Sequence, residues 1–282
     1  MTISIAHLGP SGTYSEQAAV AYANMLHKQT KQEPILCPYP SIAKTLKAIA
    51  THQVDLAVVP VENSIEGSVA VTLDMLWQLD ILRINLALVL PIAHTLLSHA
   101  DSLANIETVY SHPQALAQCQ GWLEQFLPRV ELIPTNSTTE ALQKLGEGSN
   151  AGAVASPRAA QLYNIPILAS SINDYAENCT RFWVLALSES TTGSHTSLAF
   201  STRANIPGAL VQPLQVFAKR GINLSRIESR PSKRSLGDYL FFIDLEGDTT
   251  SPSVQAAIAE LAMHTEILKI FGSYDVSSLA KN

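Results

Sequence analysis

The chain is short of the residues that mark several common functions. Its 282 residues include only 3 cysteines, Cys37, Cys119 and Cys179, none in a CxxC pair. An odd, scattered set excludes a disulfide framework and a cysteine-built zinc site, and it fits a reducing compartment. Charged residues make up 15%, and the 18 basic and 24 acidic side chains (formal net charge -6) are interspersed with no basic stripe. Nucleic acid is therefore not an expected partner. The longest apolar stretch, 86–92, falls far short of the roughly 20 residues of a spanning helix, so no membrane association is expected. Residues 2–8 contain no lysine or arginine and read as a strand rather than the charged start of a signal peptide, which points to a cytoplasmic protein. The tight loop Gly9, Pro10, Ser11, Gly12, Thr13 is neither GxGxxG nor a Walker A loop, and nothing indicates a nucleotide. His94 and His99 have no third ligand near them in sequence, so no metal is expected.

What is present is 46% hydrophobic and long enough for two domains. Apolar strand-like runs alternate with helical patterns, which argues for an α/β region through about residue 187. Strands at 4–8, 35–37 and 56–59, with helices at 14–27, 42–51 and 71–79, make a first lobe. Strands at 86–90, 108–110, 132–133, 152–155 and 167–169, with helices at 114–126 and 138–145, make a second. The run 183–187 is expected to cross back to the first lobe and leave a cleft, the alternative being one continuous sheet. This divides residues 1–188 into lobe 1 (about 1–80 plus 180–188) and lobe 2 (about 81–179). A Ser/Thr/Gly-rich linker follows at 189–196, and the remainder, 197–282, shows the βαββαβ order of a separate ferredoxin-like domain, with helices at 208–220 and 254–263.

Polar groups collect where strands end. Asn178, Cys179, Thr180, Arg181 and Phe182 set a hydroxyl beside a guanidinium at the start of an apolar strand, a combination suited to a small carboxylate. Thr13 with Glu16, Ser111 with Gln114, and Ser137 with Glu140 match the S/T-x-x-E/Q capping box; each is either a simple cap or part of a set of helix N-termini facing a dianion. Glu62, Asn63 and Ser64 follow the third strand with more hydrogen-bonding capacity than a turn requires. Ser111 and Gln118, seven residues apart, fall on nearly the same helix face and are able to point at one ligand; His112 reads as a surface or cap group. Cys179, with no histidine near it in sequence, reads as a small buried residue.

Taken together, GPSGTYSEQAA at 9–19, VPVENSIEGSV at 59–69, SHPQAL at 111–116, NCTRF at 178–182, GALVQPLQVFAKRGINLSRIESRP at 208–231 and GDYLFFIDLEG at 237–247 resemble the prephenate dehydratase family, in family order across nearly the whole chain. The resemblance implies a bilobal catalytic domain like that of periplasmic binding proteins, followed by an ACT regulatory domain. No chorismate mutase segment precedes residue 9, so the monofunctional form is expected. The implied reaction, that of a cofactor-free hydro-lyase, converts prephenate to phenylpyruvate, carbon dioxide and water. By carry-over Thr180 is catalytic, with Glu62, Asn63, Ser111 and Gln118 in the active site and Arg181 and Phe182 beside Thr180 for substrate; the capped helix starts at Thr13 and Ser137 are expected to bind substrate as well. An arginine and helix N-termini would hold the carboxylate that stays, and Glu62 is a candidate proton source. For the ACT domain the resemblance implies L-phenylalanine bound by Gly208, Ala209, Leu210, Asn223, Leu224, Glu228 and Ser229, in a homodimer or homotetramer. A non-catalytic solute receptor and an arogenate dehydratase are the competing readings.

Overall fold

The computed structural model describes residues 2–146 and 150–280; the ends of the expected domains at residues 1 and 281–282 lie outside the described residues, as do 147–149. In chain order the elements are β1 (Ser4–Leu8), α1 (Tyr14–Thr30), β2 (Ile35–Tyr39), α2 (Ile42–Ala50), β3 (Leu56–Asn63), β4 (Gly67–Ser68), α3 (Ala70–Gln78), β5 (Arg83–Pro91), β6 (Thr95–Ser98), β7 (Thr108–Ser111), α4 (Pro113–Ala117), α5 (Gln120–Phe126), β8 (Glu131–Pro134), α6 (Thr138–Leu142), β9 (Ala151–Ala155), α7 (Pro157–Tyr163), β10 (Ile167–Ala169) and β11 (Cys179–Ala186). The C-terminal part adds β12 (His195–Thr202), α8 (Val211–Ala218), β13 (Leu224–Pro231), β14 (Tyr239–Glu246), α9 (Pro252–His264) and β15 (Thr265–Ser278). No helix among the described residues is long and apolar enough to cross a membrane.

Local chemistry accounts for the first βα units. Thr13 caps α1 by accepting the Glu16 N–H, and Ala18, Ala19 and Ala23 give the helix a small-residue face that packs close to β1. Ser41 caps α2 in the same way, through the Lys44 N–H, and Leu46 and Ile49 carry its buried stripe. Strands β2, β1 and β3 pair in parallel, as the intervening helices require.

The strands form two separate sheets. The smaller, in the order β10-β6-β9-β7-β8, is the second lobe. The larger runs β13-β14-β12-β15-β5-β11-β3-β1-β2, with β4 hanging on β3. Strand β5 corrects the expectation that residues 86–90 open the second lobe: it pairs antiparallel with β11 from Pro91↔Cys179 to Arg83↔Ala186, and so completes the first. Its two faces serve two cores, Ile84 and Ala87 in one and Leu88 and Leu90 in another, which is why a nearly continuous apolar run belongs at the centre of the larger sheet. The chain leaves lobe 1 only after β5 and returns just before β11. These crossings are tied together: Ile92 N–H donates to Asn178 O at 2.8 Å, and Asn173 receives the His94 N–H while donating to Ile92 O.

The C-terminal strands take the ferredoxin-like order β13-β14-β12-β15, with α8 and α9 packed on one face. This unit does not stand apart as expected. Its other face, with Ala199, Leu240, Phe242, Phe271 and Tyr274, joins Leu73, Leu76 and Trp183 of lobe 1 in one core. Strand β15 extends the union: after Tyr274 it leaves β12 and pairs in parallel with β5 from Asp275↔Leu86 to Ser278↔Val89. Gly272 has φ +126 and lies so close to β5 that an added Cβ would sit 2.8 Å from Ile84 O, so only glycine fits there.

Phe242 is 2% exposed and meets Trp77 of α3 edge-on at 6.4 Å. Phe242→Ala should therefore cost about 3–5 kcal/mol, with the loss felt by both domains. Chemical denaturation followed by tryptophan fluorescence, to which Trp77 contributes, would measure it.

Candidate active site

Strand pleating decides which expected residues reach the cleft. Along β11 successive side chains alternate faces, so Thr180 and Phe182 face the cleft while Arg181 and Trp183 face the C-terminal domain. On the neighbouring β3, Asn63 and Glu62 divide in the same way. The inter-lobe cleft, about 1080 Å³, is lined by Thr13, Asn63, Gln118, Ser137, Thr180 and Phe182 among the expected residues.

Three expected residues are not there. Arg181 turns away from the cleft, and its Nη1 lies 3.2 Å from Asp244 Oδ2 and 3.7 Å from Glu62 Oε2. Glu62, on the same face, also lies 3.9 Å from Arg226 Nε, so neither an arginine clamp nor a Glu62 acid is available to a ligand in the cleft. Ser111 is fully buried and donates to Val154 O at 2.6 Å. The cap expected of Ser111 falls to His112, whose Nδ1 accepts the Gln114 N–H, because Pro113 sets the start of α4 one residue later. The expected helix 114–126 also breaks at Gln118 and Cys119 into α4 and α5, which turns Gln118 into the cleft.

Among its described residues the cleft has no lysine or arginine; its charged and titratable members include Glu66, Glu140, His94 and His112. Its donors are mainly neutral: the first turn of α1 and the hydroxyls of Ser137, Thr138 and Thr139 at the start of α6. Among the described residues no three His, Cys, Asp or Glu side chains gather to hold a metal.

At the floor, Thr180 is 8% exposed, and its Oγ1 accepts a 2.9 Å hydrogen bond from Asn63 Nδ2. Asn63 Nδ2 donates also to Asn178 Oδ1 at 2.9 Å, and Asn178 Nδ2 to Gln118 Oε1 at 2.9 Å. Gln118 joins the two lobes further through Glu66 and His94. Sequence reasoning gave no role to Tyr14, Glu66 or Asn178, and considered His94 only as a metal ligand; all four join this polar cluster. Glu66 was legible, since it lies in the same polar run as Asn63. Nothing local marks His94, which reaches Gln118 by the lobe crossing.

In the C-terminal domain, α8 begins at Val211 rather than Gly208, and Gly208, Ala209 and Leu210 form the turn before it, with Gly208 at φ +83. Leu210 and Leu224 pack into the helix-side core, and Asn223 Nδ2 donates to Glu246. Ser229 pairs with Phe241 and Glu228 with Phe242, so these two face opposite sides of the sheet and do not converge on one ligand from within a single copy.

Residues 5–190 match the family model for prephenate dehydratase, and residues 196–262 match that for the ACT domain. The chain belongs to the prephenate dehydratase family. It is 45% identical over 274 residues to a bifunctional chorismate mutase/prephenate dehydratase of Aquifex aeolicus, covering 96% of this chain and 73% of that one. It is 36% identical to a prephenate dehydratase of Lactococcus lactis subsp. cremoris over 99% of this chain and 100% of that one. A crystal structure of prephenate dehydratase in complex with L-Phe from Arthrobacter aurescens superposes with TM-score 0.86 at 31% identity, over 97% of this chain and 90% of that one. In this family member, then, the ACT sheet and the catalytic lobe share one core.

His94 is 2% exposed, and burial lowers its pKa from the ordinary 6.5, against the raising effect of its bond to Gln118. Burial lowers that of His7 as well. A lowered folded pKa means that below about pH 6.5 the unfolded chain takes up a proton the folded ring refuses, so stability is full above that pH and declines on acidification. Melting temperature should fall between about pH 7 and about pH 5.5, and His94→Gln should make that slope shallower.

Proposed function

We propose that the cleft carries out the decarboxylating dehydration of prephenate to phenylpyruvate, with Thr180 as the group on which turnover depends. The observation that carries this reading is the state of the Thr180 hydroxyl. Its oxygen accepts from Asn63, and no other hydrogen bond among the described residues engages it, so its proton is directed to a ligand. Loss of the ring carboxylate as carbon dioxide sends its electron pair through the ring, which becomes aromatic and expels hydroxide; the hydroxide takes up a proton and leaves as water. A hydrogen bond from Thr180 to the departing oxygen stabilises charge that develops only in the transition state. Threonine is too weak an acid to supply the proton itself. Glu66 lines the cleft within reach of Gln118 and is the candidate proton source there, whereas Glu62 lies on the opposite face of β3.

A lining without lysine or arginine among the described residues suits the chemistry. An ammonium or guanidinium paired with the carboxylate that leaves would stabilise the ground state and raise the barrier to its loss. Neutral donors, the first turn of α1 and the hydroxyls at the start of α6, hold the substrate without that penalty.

For the ACT domain the reading is allosteric control by L-phenylalanine at an interface between copies, with lower activity when phenylalanine is bound. The L-Phe complex of the Arthrobacter protein supports it, as does the position of β13 at the edge of the sheet with Ile227 48% exposed. Because Glu228 and Ser229 face opposite sides, a site using both needs a second copy, which favours a dimer or a tetramer built from dimers.

Thr180→Ala should reduce kcat by roughly 100-fold or more with little change in KM, and Thr180→Ser should keep much of the rate. Phenylpyruvate absorbance would follow both, and full activity in the alanine variant would overturn the assignment. Parallel assays with arogenate separate the two dehydratases, and absence of turnover with bound ligand would leave the solute receptor. Phenylalanine titrated into the same assay should lower the rate and shift the sedimentation profile; a rate and profile indifferent to it would remove the regulatory reading.

A further inference from the structure

The amide groups beneath Thr180 have orientations that can be deduced from fixed donors, and the deduction leads away from the cleft. Asn63 Oδ1 receives the backbone N–H groups of Ile65 and Glu66 at 3.0 and 3.1 Å. A backbone N–H only donates, so Asn63 must present its Nδ2 to Thr180 Oγ1 and Asn178 Oδ1, each at 2.9 Å, with Cys179 O a longer third acceptor at 3.2 Å. A second anchor agrees. The Cys179 N–H donates to Ser64 Oγ at 3.0 Å, which leaves the Ser64 proton for Asn178 Oδ1 at 3.3 Å. Asn178 Nδ2 is thereby committed to Gln118 Oε1, and Gln118 Nε2 to the Glu66 carboxylate at 3.4 Å. The proton of His94 then sits on Nε2, donating to Gln118 Oε1 at 3.0 Å, and Nδ1 accepts from Tyr14, whose hydroxyl is shared with Ala93 O.

We infer that Asn178 is a positioning residue for the reaction: its Oδ1 holds the Asn63 Nδ2 group, already oriented by the Ile65 and Glu66 N–H groups, at Thr180 Oγ1, so that the Thr180 hydroxyl donates into the cleft, and His94, through Gln118, fixes Asn178. This rests on the reading of Thr180 as the catalytic hydroxyl. Asn178 is 1% exposed and is not part of the cleft lining, so it acts through its neighbours rather than on the substrate. Were the Asn178 amide reversed, Asn63 Nδ2 would meet an N–H, the repulsion would displace the Asn63 side chain, and its bond to Thr180 Oγ1 would weaken and leave the hydroxyl less restrained. Residues that orient a reacting group in this way commonly account for one to two orders of magnitude in rate.

The substitution Asn178→Asp tests this without changing shape. An ionised carboxylate accepts from Asn63 but presents an acceptor to Gln118 Oε1, whereas a protonated carboxyl restores the donor–acceptor pattern of the amide. Neighbouring titratable groups are Glu177 and Cys179 in sequence, and Glu66 and His94, which reach the position through Gln118. Above neutral pH kcat should fall roughly 10- to 100-fold with KM within about threefold, and the ratio of variant to native kcat should climb as the pH is lowered. A ratio that is flat with pH, or no loss at all, would overturn the inference. Should that variant fail to fold, His94→Leu against His94→Gln decides at the far end of the chain of bonds: glutamine keeps a donor for Gln118 and should retain kcat, leucine should not, and equal kcat in the two would sink the idea. Thr180→Ala assayed beside them separates the failures. If it is fully active, the catalytic reading falls; if it is inactive while Asn178→Asp tracks the native enzyme at every pH, the positioning role alone falls.

Discussion

The alternation of side chains along β11 is the constraint on which the rest depends. One face of this strand supplies Thr180 and Phe182 to the cleft, and the other supplies Arg181 and Trp183 to the ACT domain. The strand lies between β5 and β3, so its pleat is locked on both sides and cannot rotate to bring Arg181 inward without losing both ladders. A hydroxyl and a guanidinium adjacent in sequence are thus assigned to different tasks. The first faces the cleft, and the second holds a neighbouring domain.

Behind the sheet, the charges that turned away from the cleft form a junction. Asp244 and Arg226 from the ACT domain meet Arg181 and Glu62 from the catalytic lobe, two cations and two anions, with Asp244 and Arg226 almost fully buried. Asp244 is further held by Ser197, and Arg226 Nη2 donates to Ser68 at 3.0 Å. Buried pairs of this kind contribute little to net stability, because desolvation offsets most of the attraction, but they tolerate few alternative arrangements. Each catalytic-lobe partner lies next to a residue that lines the cleft: Arg181 next to Thr180, Glu62 next to Asn63, and Ser68 itself is a lining residue. A movement of β13 and β14 would therefore be felt first at the floor of the cleft.

The fold was largely legible because its signals are local. The alternation of strand and helix, the caps at Thr13 and Ser137, and the βαββαβ order after residue 195 all follow from short-range patterns that the structure contains. The assignment of β5 was not legible: a strand apolar on both faces fits either lobe, and only pairing with β11 decides. Site residues divide on the same principle. Period-two alternation along 180–183 was readable in the sequence and, applied to Arg181, separates it from Thr180; a resemblance carries residue identities and not the faces they occupy. His94 and Tyr14 belong to the cluster through contacts across the lobe crossing, for which the sequence offers no local sign.

The polar floor and the shared apolar core explain one another. The network under the Thr180 hydroxyl has its amides oriented by fixed backbone donors, and such a network is stable only where water does not compete for its members. Asn178 and Gln118 are almost fully buried, at the point where both crossings between the lobes pass. On the other face Trp183 and Phe242 close the sheet against solvent, so that β11 is supported on its whole length. Were the ACT domain only tethered by a linker, the back of β11 would be a wet surface carrying an exposed tryptophan, and the register that aims Thr180 would rest on the β5 and β3 ladders alone. The shared core makes the second domain a structural part of the first, and for that reason a ligand bound to one has a physical means of reaching the other.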